Sequence, residues 1–225
     1  MPLKVSQIRA ICFDVDGTLS DSDDVMVAQL AELLYPFLFM FPGQDLLRVA
    51  RRIVMETQAP AFFVYGIPDL IGLDKEIFAL KDWIVNLSKQ ETQPYQLVPG
   101  TREMLESLSQ HYPLAVVSAN EQHTTMAFLD QFNLTHMFKC IATGQTCQHT
   151  KPFADPIIWA AGEMGVPQQA CLMVGDTSMD MRAGKAARAQ TVGVLCGFGE
   201  EQELREHGAD LILPITSELV QVLEK

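Results

Sequence analysis

The apolar residues of this chain gather in short unbroken blocks with longer amphipathic stretches between them. Blocks at residues 8–13 (IRAICF), 113–118 (PLAVVS), 138–142 (FKCIA), 170–175 (ACLMVG), 191–195 (TVGVL) and 210–213 (DLIL) have the length and continuity of strands buried on both faces. The stretches between them read as helices. One opens at Thr101 and ends near His111; the next takes Asn120 as its cap and carries Met126, Phe128, Leu129 and Phe132. Further helices are expected over 155–164, 178–187 and 217–223. Strand alternating with helix implies parallel βαβ units, so the predicted fold class is α/β, a doubly wound Rossmann-like parallel sheet. Ligands of such a sheet bind beyond the carboxyl ends of its strands.

Residues 21–96 break this rhythm. They hold no clear strand and several helix-type runs, among them 45–55 and 75–89. The prediction is a core of residues 1–20 and 97–225 with an all-helical cap domain inserted over 21–96. Arg48, Arg51 and Arg52 fall on one predicted helix and read first as a solvated face, with contact to a second anionic group of a substrate as the alternative; Tyr35, Phe37, Phe39 and Phe41 read first as packing around Pro36, with an apolar wall for substrate or a dimer patch as the alternative. With 6 basic against 11 acidic residues, the insert is no clamp for a polyanion.

Composition narrows the function classes. A chain of 225 residues, 48% of them apolar, suffices for one large domain or a core plus an insert. Lys and Arg number 16 and Asp and Glu 28, a formal charge of −12. That field argues against nonspecific binding to nucleic acid or to an anionic membrane. A small anionic substrate stays permitted, because a local cation overrides a weak distant field. The most apolar stretch, 27–41, is 15 residues long, short of the roughly 20 that a membrane helix needs. No secretion signal is read at the N-terminus. The five cysteines are odd in number and include no C-x-x-C pair. They predict free thiols in a reducing compartment, the cytoplasm. Cys147 and His149 have the spacing of half a metal site, with no second half in the sequence.

The chemistry concentrates at the strand ends. Asp14-Val15-Asp16-Gly17-Thr18 follows the first strand, Ser118 closes the second, Lys151-Pro152 follows the third, and Gly175-Asp176-Thr177-Ser178-Met179-Asp180 follows the fourth. A parallel sheet brings all of these to one edge. Four carboxylates cannot be neutralised by one lysine, so some carboxyls stay protonated or a divalent cation sits among them. Carboxylates without His or Cys partners favour a hard ion with oxygen ligands, Mg²⁺ above all. The same set outlines a phosphoryl-transfer site, where much charge is stabilised and a nucleophile does the covalent work. Asp14 and Asp16, two apart, offer a nucleophile and a general acid/base. Gly17 allows a sharp exit from the strand.

D-V-D-G-T-L at 14–19, the strand-ending Ser118, Lys151-Pro152 and G-D-T-x-x-D at 175–180 together resemble the four motifs of the haloacid-dehalogenase-like hydrolases. The insert resembles the helical cap of the phosphoglycolate-phosphatase-like branch. The resemblance implies that Asp14 is the nucleophile and Asp16 the general acid/base. It implies that Thr18, Ser118, Asn120 and Lys151 bind the substrate phosphate, and that Lys151 neutralises the nucleophile. It implies Mg²⁺ held by Asp14, the Asp16 carbonyl and Asp176, with Asp180 supporting that shell. An acid at position 16 resembles the phosphatases and mutases of the family rather than its dehalogenases. Many relatives carry K-P-x-P where this chain reads Lys151-Pro152-Phe153-Ala154, a departure that leaves the lysine in place.

The expected activity is therefore a Mg²⁺-dependent phosphatase acting on a small phosphorylated metabolite, phosphoglycolate among the candidates, as a monomer or homodimer. Two alternatives stand beside it: a phosphomutase on the same scaffold, resembling beta-phosphoglucomutase, and a non-catalytic binding protein of the same fold. A phospho-acceptor receiver domain also uses a strand-end Asp with a Lys, but needs about half this length and no second acid.

Overall fold

A computed structural model describes residues 3–21, 35 and 95–224. The chain divides into two units, Met1–Asp23 with Tyr95–Lys225, and Asp24–Pro94. The helices, arginines and remaining aromatics expected between 22 and 94 lie outside the described residues.

The first unit is built on six parallel strands: β1 (Ala10–Phe13), β2 (Leu114–Val117), β3 (Cys140–Ala142), β4 (Cys171–Gly175), β5 (Gln190–Val194) and β6 (Leu211–Leu213). Their order is β3-β2-β1-β4-β5-β6. β1 pairs with β2 on one side and β4 on the other, with Phe13 level with Val116 and Val174. The chain winds one way from β1 and the other way from β4, so the loops after these two strands flank the crevice where doubly wound sheets bind ligands. Among the described residues the helices are α1 (Thr101–Leu108), α2 (Gln122–Gln131), α3 (Asp155–Met164), α4 (Ser178–Ala186), α5 (Glu201–Glu206) and α6 (Leu219–Leu223). None is long and apolar enough to cross a membrane.

Strand alternation gives the sheet two unlike faces. Ile11, Phe13, Leu114, Val116, Leu172 and Val174 join Met104, Leu105, Leu108, Phe128, Leu129, Leu219 and Leu223 in a core of large side chains under α1, α2 and α6. Ala10, Cys12, Ala115, Val117, Cys171 and Met173 form the other, against Ile157, Ala160 and Ala161 of α3 and Ala183 of α4. Each fully buried large side chain contributes roughly 1.5–3 kcal/mol, so the first face carries most of the stability. The small residues of the second let α3 and α4 lie close to the strands.

Two expected caps are absent. Gly100, at φ 78°, precedes α1, while Thr101 is the helix's first residue and its buried hydroxyl lacks a partner. Glu121 occupies the cap position of α2, because the Asn120 side chain is drawn to Asp16 instead. The two connections to the insert are paired with each other. Asp21 N–H donates to Gln96 O (2.8 Å) and Val98 N–H to Leu19 O (3.0 Å). Asp21 and Gln96 thus belong with the core.

Candidate active site

Asp14 is the first residue beyond β1 and its N–H still donates to Val174 O on β4 (3.0 Å). It continues the alternation of Ala10 and Cys12, which aims it toward the α3 and α4 side. There it meets Lys151, whose Nζ lies 2.7 Å from Asp14 Oδ1 and 2.6 Å from Asp180 Oδ1. Lys151 is 2% exposed, Asp14 6% and Asp180 0%. Burial alone would depress the ammonium, but Asp14 and Asp180 outweigh it and hold Lys151 above the ordinary lysine range. The other Asp180 oxygen accepts from the Thr177 hydroxyl (2.6 Å) and the Thr177 N–H (3.0 Å). Asp180 therefore closes the start of α4 and aims Lys151 at Asp14 at the same time.

After Asp14 the backbone turns tightly. Val15 O accepts from the N–H groups of Thr18 (3.2 Å), Leu19 (2.8 Å) and Ser20 (2.8 Å). Gly17 completes the turn at φ 70°, in the left-handed region that other residues enter at a cost. A Cβ there would also strike the Asp176 carboxylate, as would one on Gly197. Asp16 accepts from Asn120 Nδ2 (2.5 Å). The N–H of Asn120 donates to Ser118 Oγ (3.1 Å), so the Ser118 hydroxyl keeps its own proton for another acceptor.

Asp176, fully buried after β4, is held on both oxygens. Thr18 Oγ1 donates to Oδ1 (3.2 Å) and the Phe198 N–H to Oδ2 (2.8 Å). The Thr18 hydroxyl, expected to face a phosphate, is therefore directed at the carboxylate beside it. The loop Gly197-Phe198-Gly199 after β5 escaped the reading of the sequence. Its signal was two glycines flanking one residue at a strand end.

One oxygen from each of Asp14, Asp176 and Asp180 lies within 4.8 Å of the others. The Asp16 carboxylate is outside this group. Burial raises the Asp14 carboxyl well above the ordinary value; repulsion from Asp180 adds to the rise and Lys151 opposes it. Burial likewise raises Asp16, against Lys151 and Asn120. Asp176 is pushed to about 7 by burial and then by Asp180, with the Phe198 N–H opposing. Lys151 alone leaves this edge short of positive charge. Three buried carboxylates with no nitrogen or sulfur among them suit a hard divalent cation. The histidines stay apart: His149 pairs with Asp155 at 2.9 Å in an exposed setting, and Cys147 is a free thiol.

The contact of Gly197 with Asp176 yields a sharp expectation. Gly197→Ala should displace the carboxylate and destabilise the protein by about 1–3 kcal/mol. Thermal denaturation measures it; an unchanged midpoint would mean that the loop yields freely.

The profile of the haloacid dehalogenase-like hydrolases matches residues 11–194, a span that runs from β1 to β5 and takes in all four strand-end segments. A phosphoglycolate phosphatase of Nitrosococcus oceani is 27% identical over 233 aligned positions, covering 98% of this chain and 99% of that protein. The pyrophosphatase PpaX of Bacillus pumilus is 25% identical, covering 97% of each. The crystal structure of a hydrolase from Pseudomonas syringae superposes with a TM-score of 0.72 at 25% identity, over 96% of this chain and 98% of the other. With that profile match covering most of its length, on a parallel sheet whose central strand ends at a lysine-paired aspartate, this chain belongs to the haloacid dehalogenase-like hydrolases.

Proposed function

We propose that this protein is a Mg²⁺-dependent phosphatase that hydrolyses a small phosphate monoester through an aspartyl-phosphate on Asp14. The observation that carries the reading is the buried Asp14–Lys151 pair inside a carboxylate cluster that one lysine cannot neutralise. Relatives named as a phosphoglycolate phosphatase and a pyrophosphatase, matched over nearly their whole length, support phosphate compounds as the substrate class.

Each residue then has a task. Lys151 favours the ionised form of Asp14 and orients it. An Asp14 oxygen attacks phosphorus, a P–O bond forms, and the bond to the leaving oxygen breaks. Asp16 gives that oxygen its proton, a role suited to a carboxyl that burial raises. Asp16 then takes a proton from water, whose oxygen attacks phosphorus and frees Asp14. Asn120 orients Asp16, and the Ser118 hydroxyl donates to a phosphoryl oxygen. Asp14, the Asp16 carbonyl and Asp176 would hold the cation, with Asp180 behind them through Lys151. A Mg²⁺ ion held by these residues would supply positive charge to stabilise the phosphoryl group. Five free cysteines support a cytoplasmic setting.

The test is phosphate release from p-nitrophenyl phosphate and a panel of small esters including phosphoglycolate, with Mg²⁺ and with EDTA. Mg²⁺-dependent release is expected, with one ester strongly preferred. No release by folded, metal-supplied protein would overturn the reading.

The raised carboxyls predict a pH dependence. Protons compete with the cation for Asp14 and Asp176, so apparent Mg²⁺ affinity should rise with pH through about 7, where Asp176 titrates, with protons released on binding. Titration calorimetry in buffers of different ionisation enthalpy reads both. The sign for folding is opposite. With its folded pKa raised from 3.8 to about 7, Asp176 binds more protons folded than unfolded, so metal-free protein should lose stability as pH rises through that window. Saturating Mg²⁺ should abolish the loss.

A further inference from the structure

Thr216 lies 198 residues from Thr18 in sequence, just before α6, yet its fully buried hydroxyl donates to the Thr18 carbonyl at 2.6 Å. The Cys196 thiol sits beside it, donating to the Gly17 carbonyl at 3.3 Å and lying 3.3 Å from the Thr216 hydroxyl. Two side chains from loops after β5 and β6 thus grip the successive carbonyls of Gly17 and Thr18. The Thr18 hydroxyl in turn donates to Asp176 Oδ1, and Gly17 packs against that same carboxylate.

We propose that Thr216, assisted by Cys196, is a positioning residue for the cation site, fixing Asp176 through the backbone of residues 17–18. This deepens the function proposed above and rests on it. The physical reason is that a carboxylate binds a cation tightly only when its orientation is set in advance by its own partners. Thr18 can set Asp176 only if the Thr18 backbone is itself fixed. The turn that holds it contains a glycine, whose wide conformational freedom the two grips restrict further. Both grips reach Asp176 through the backbone of residues 17–18, so their effect should fall on cation affinity more than on the phosphoryl-transfer step.

The experiment compares Thr216→Val, Thr216→Ser and Cys196→Ala with the wild-type protein. Mg²⁺ affinity is measured by calorimetry on the protein without substrate, and the Mg²⁺ concentration for half-maximal phosphate release is measured in parallel. Thr216→Val keeps the shape and removes the donor; it should weaken Mg²⁺ binding roughly tenfold, about 1.4 kcal/mol, with turnover at saturating Mg²⁺ changed far less. Thr216→Ser keeps the hydroxyl and should restore most of the affinity. Cys196→Ala should lie between them, and it carries the test if Thr216→Val does not fold. Unchanged Mg²⁺ affinity in a folded Thr216→Val protein would overturn the proposal, as would a serine variant as weak as the valine one. So would an unchanged Cys196→Ala where the valine variant is unfolded. A wild-type protein that neither binds Mg²⁺ nor releases phosphate would instead overturn the function on which the proposal rests.

Discussion

Asp14→Asn is expected to abolish phosphate release, lowering turnover at least about a thousandfold, while the protein stays folded. The amide matches the carboxylate in shape but is a far poorer nucleophile, and it cannot form the acyl phosphate. Stability should not suffer. Asp14 stands within a cluster whose burial and mutual repulsion already disfavour its ionised form, so removing its charge relieves the cluster. Lys151 keeps Asp180 at 2.6 Å as its counter-ion. The metal-free variant should therefore melt at or above the wild-type temperature. Turnover above a few per cent of wild type would remove Asp14 from the nucleophile's role, and a protein that melted early would show that the Asp14–Lys151 pair is structural first.

The second large effect concerns the cation of that pair. Lys151→Met fills a similar volume but leaves Asp14 and Asp180 without their shared partner, both nearly sealed from water. Breaking a buried pair from one side costs about 3–5 kcal/mol, which for a chain of this size is a fall in melting temperature of roughly 10 °C. Activity should be lost as well, because Asp14 would lose the cation that opposes the rise of its carboxyl and aims it. Combining Lys151→Met with Asp180→Asn separates the two contributions. Neutralising Asp180 should recover part of the lost stability and none of the activity, since Asp180 is buried behind the lysine and shares it with Asp14. A Lys151→Met protein as stable as wild type would mean that the carboxyls simply bind protons at little cost.

The sheet and most of the site were legible in the sequence for physical reasons that also explain the misses. Buried parallel strands are continuous apolar blocks, so all six were marked. Carboxylates clustered at strand ends have few purely structural uses, so Asp14, Asp16, Asp176 and Asp180 drew attention together. The structure gathers Asp14, Asp176, Asp180 and Lys151 directly, with Asp16 joined to Asn120 beside them. Helix α5 was missed because its sequence EQELRE buries only Leu204, too little for a periodic stripe. Local spacing marks Thr101 and Asn120 as caps, whereas Asn120 answers to a partner 104 residues away. Nothing in the sequence marks Cys196, Phe198 or Thr216 as part of the site. Each acts on or through a backbone carbonyl or N–H, and such groups are the same at every position.

The paired connections at Asp21–Gln96 and Leu19–Val98 have an evolutionary consequence. The core's chain leaves and re-enters one hydrogen bond apart, so whatever lies between starts and ends at the same doorstep. Closing a loop of any length across that gap costs little more for a long segment than for a short one. The segment between can be lengthened, shortened or exchanged with small effect on the strands, because they pair with one another within the first unit. A lineage holding this junction constant can exchange what lies between as an interchangeable part, while Asp14 a few residues upstream keeps its surroundings.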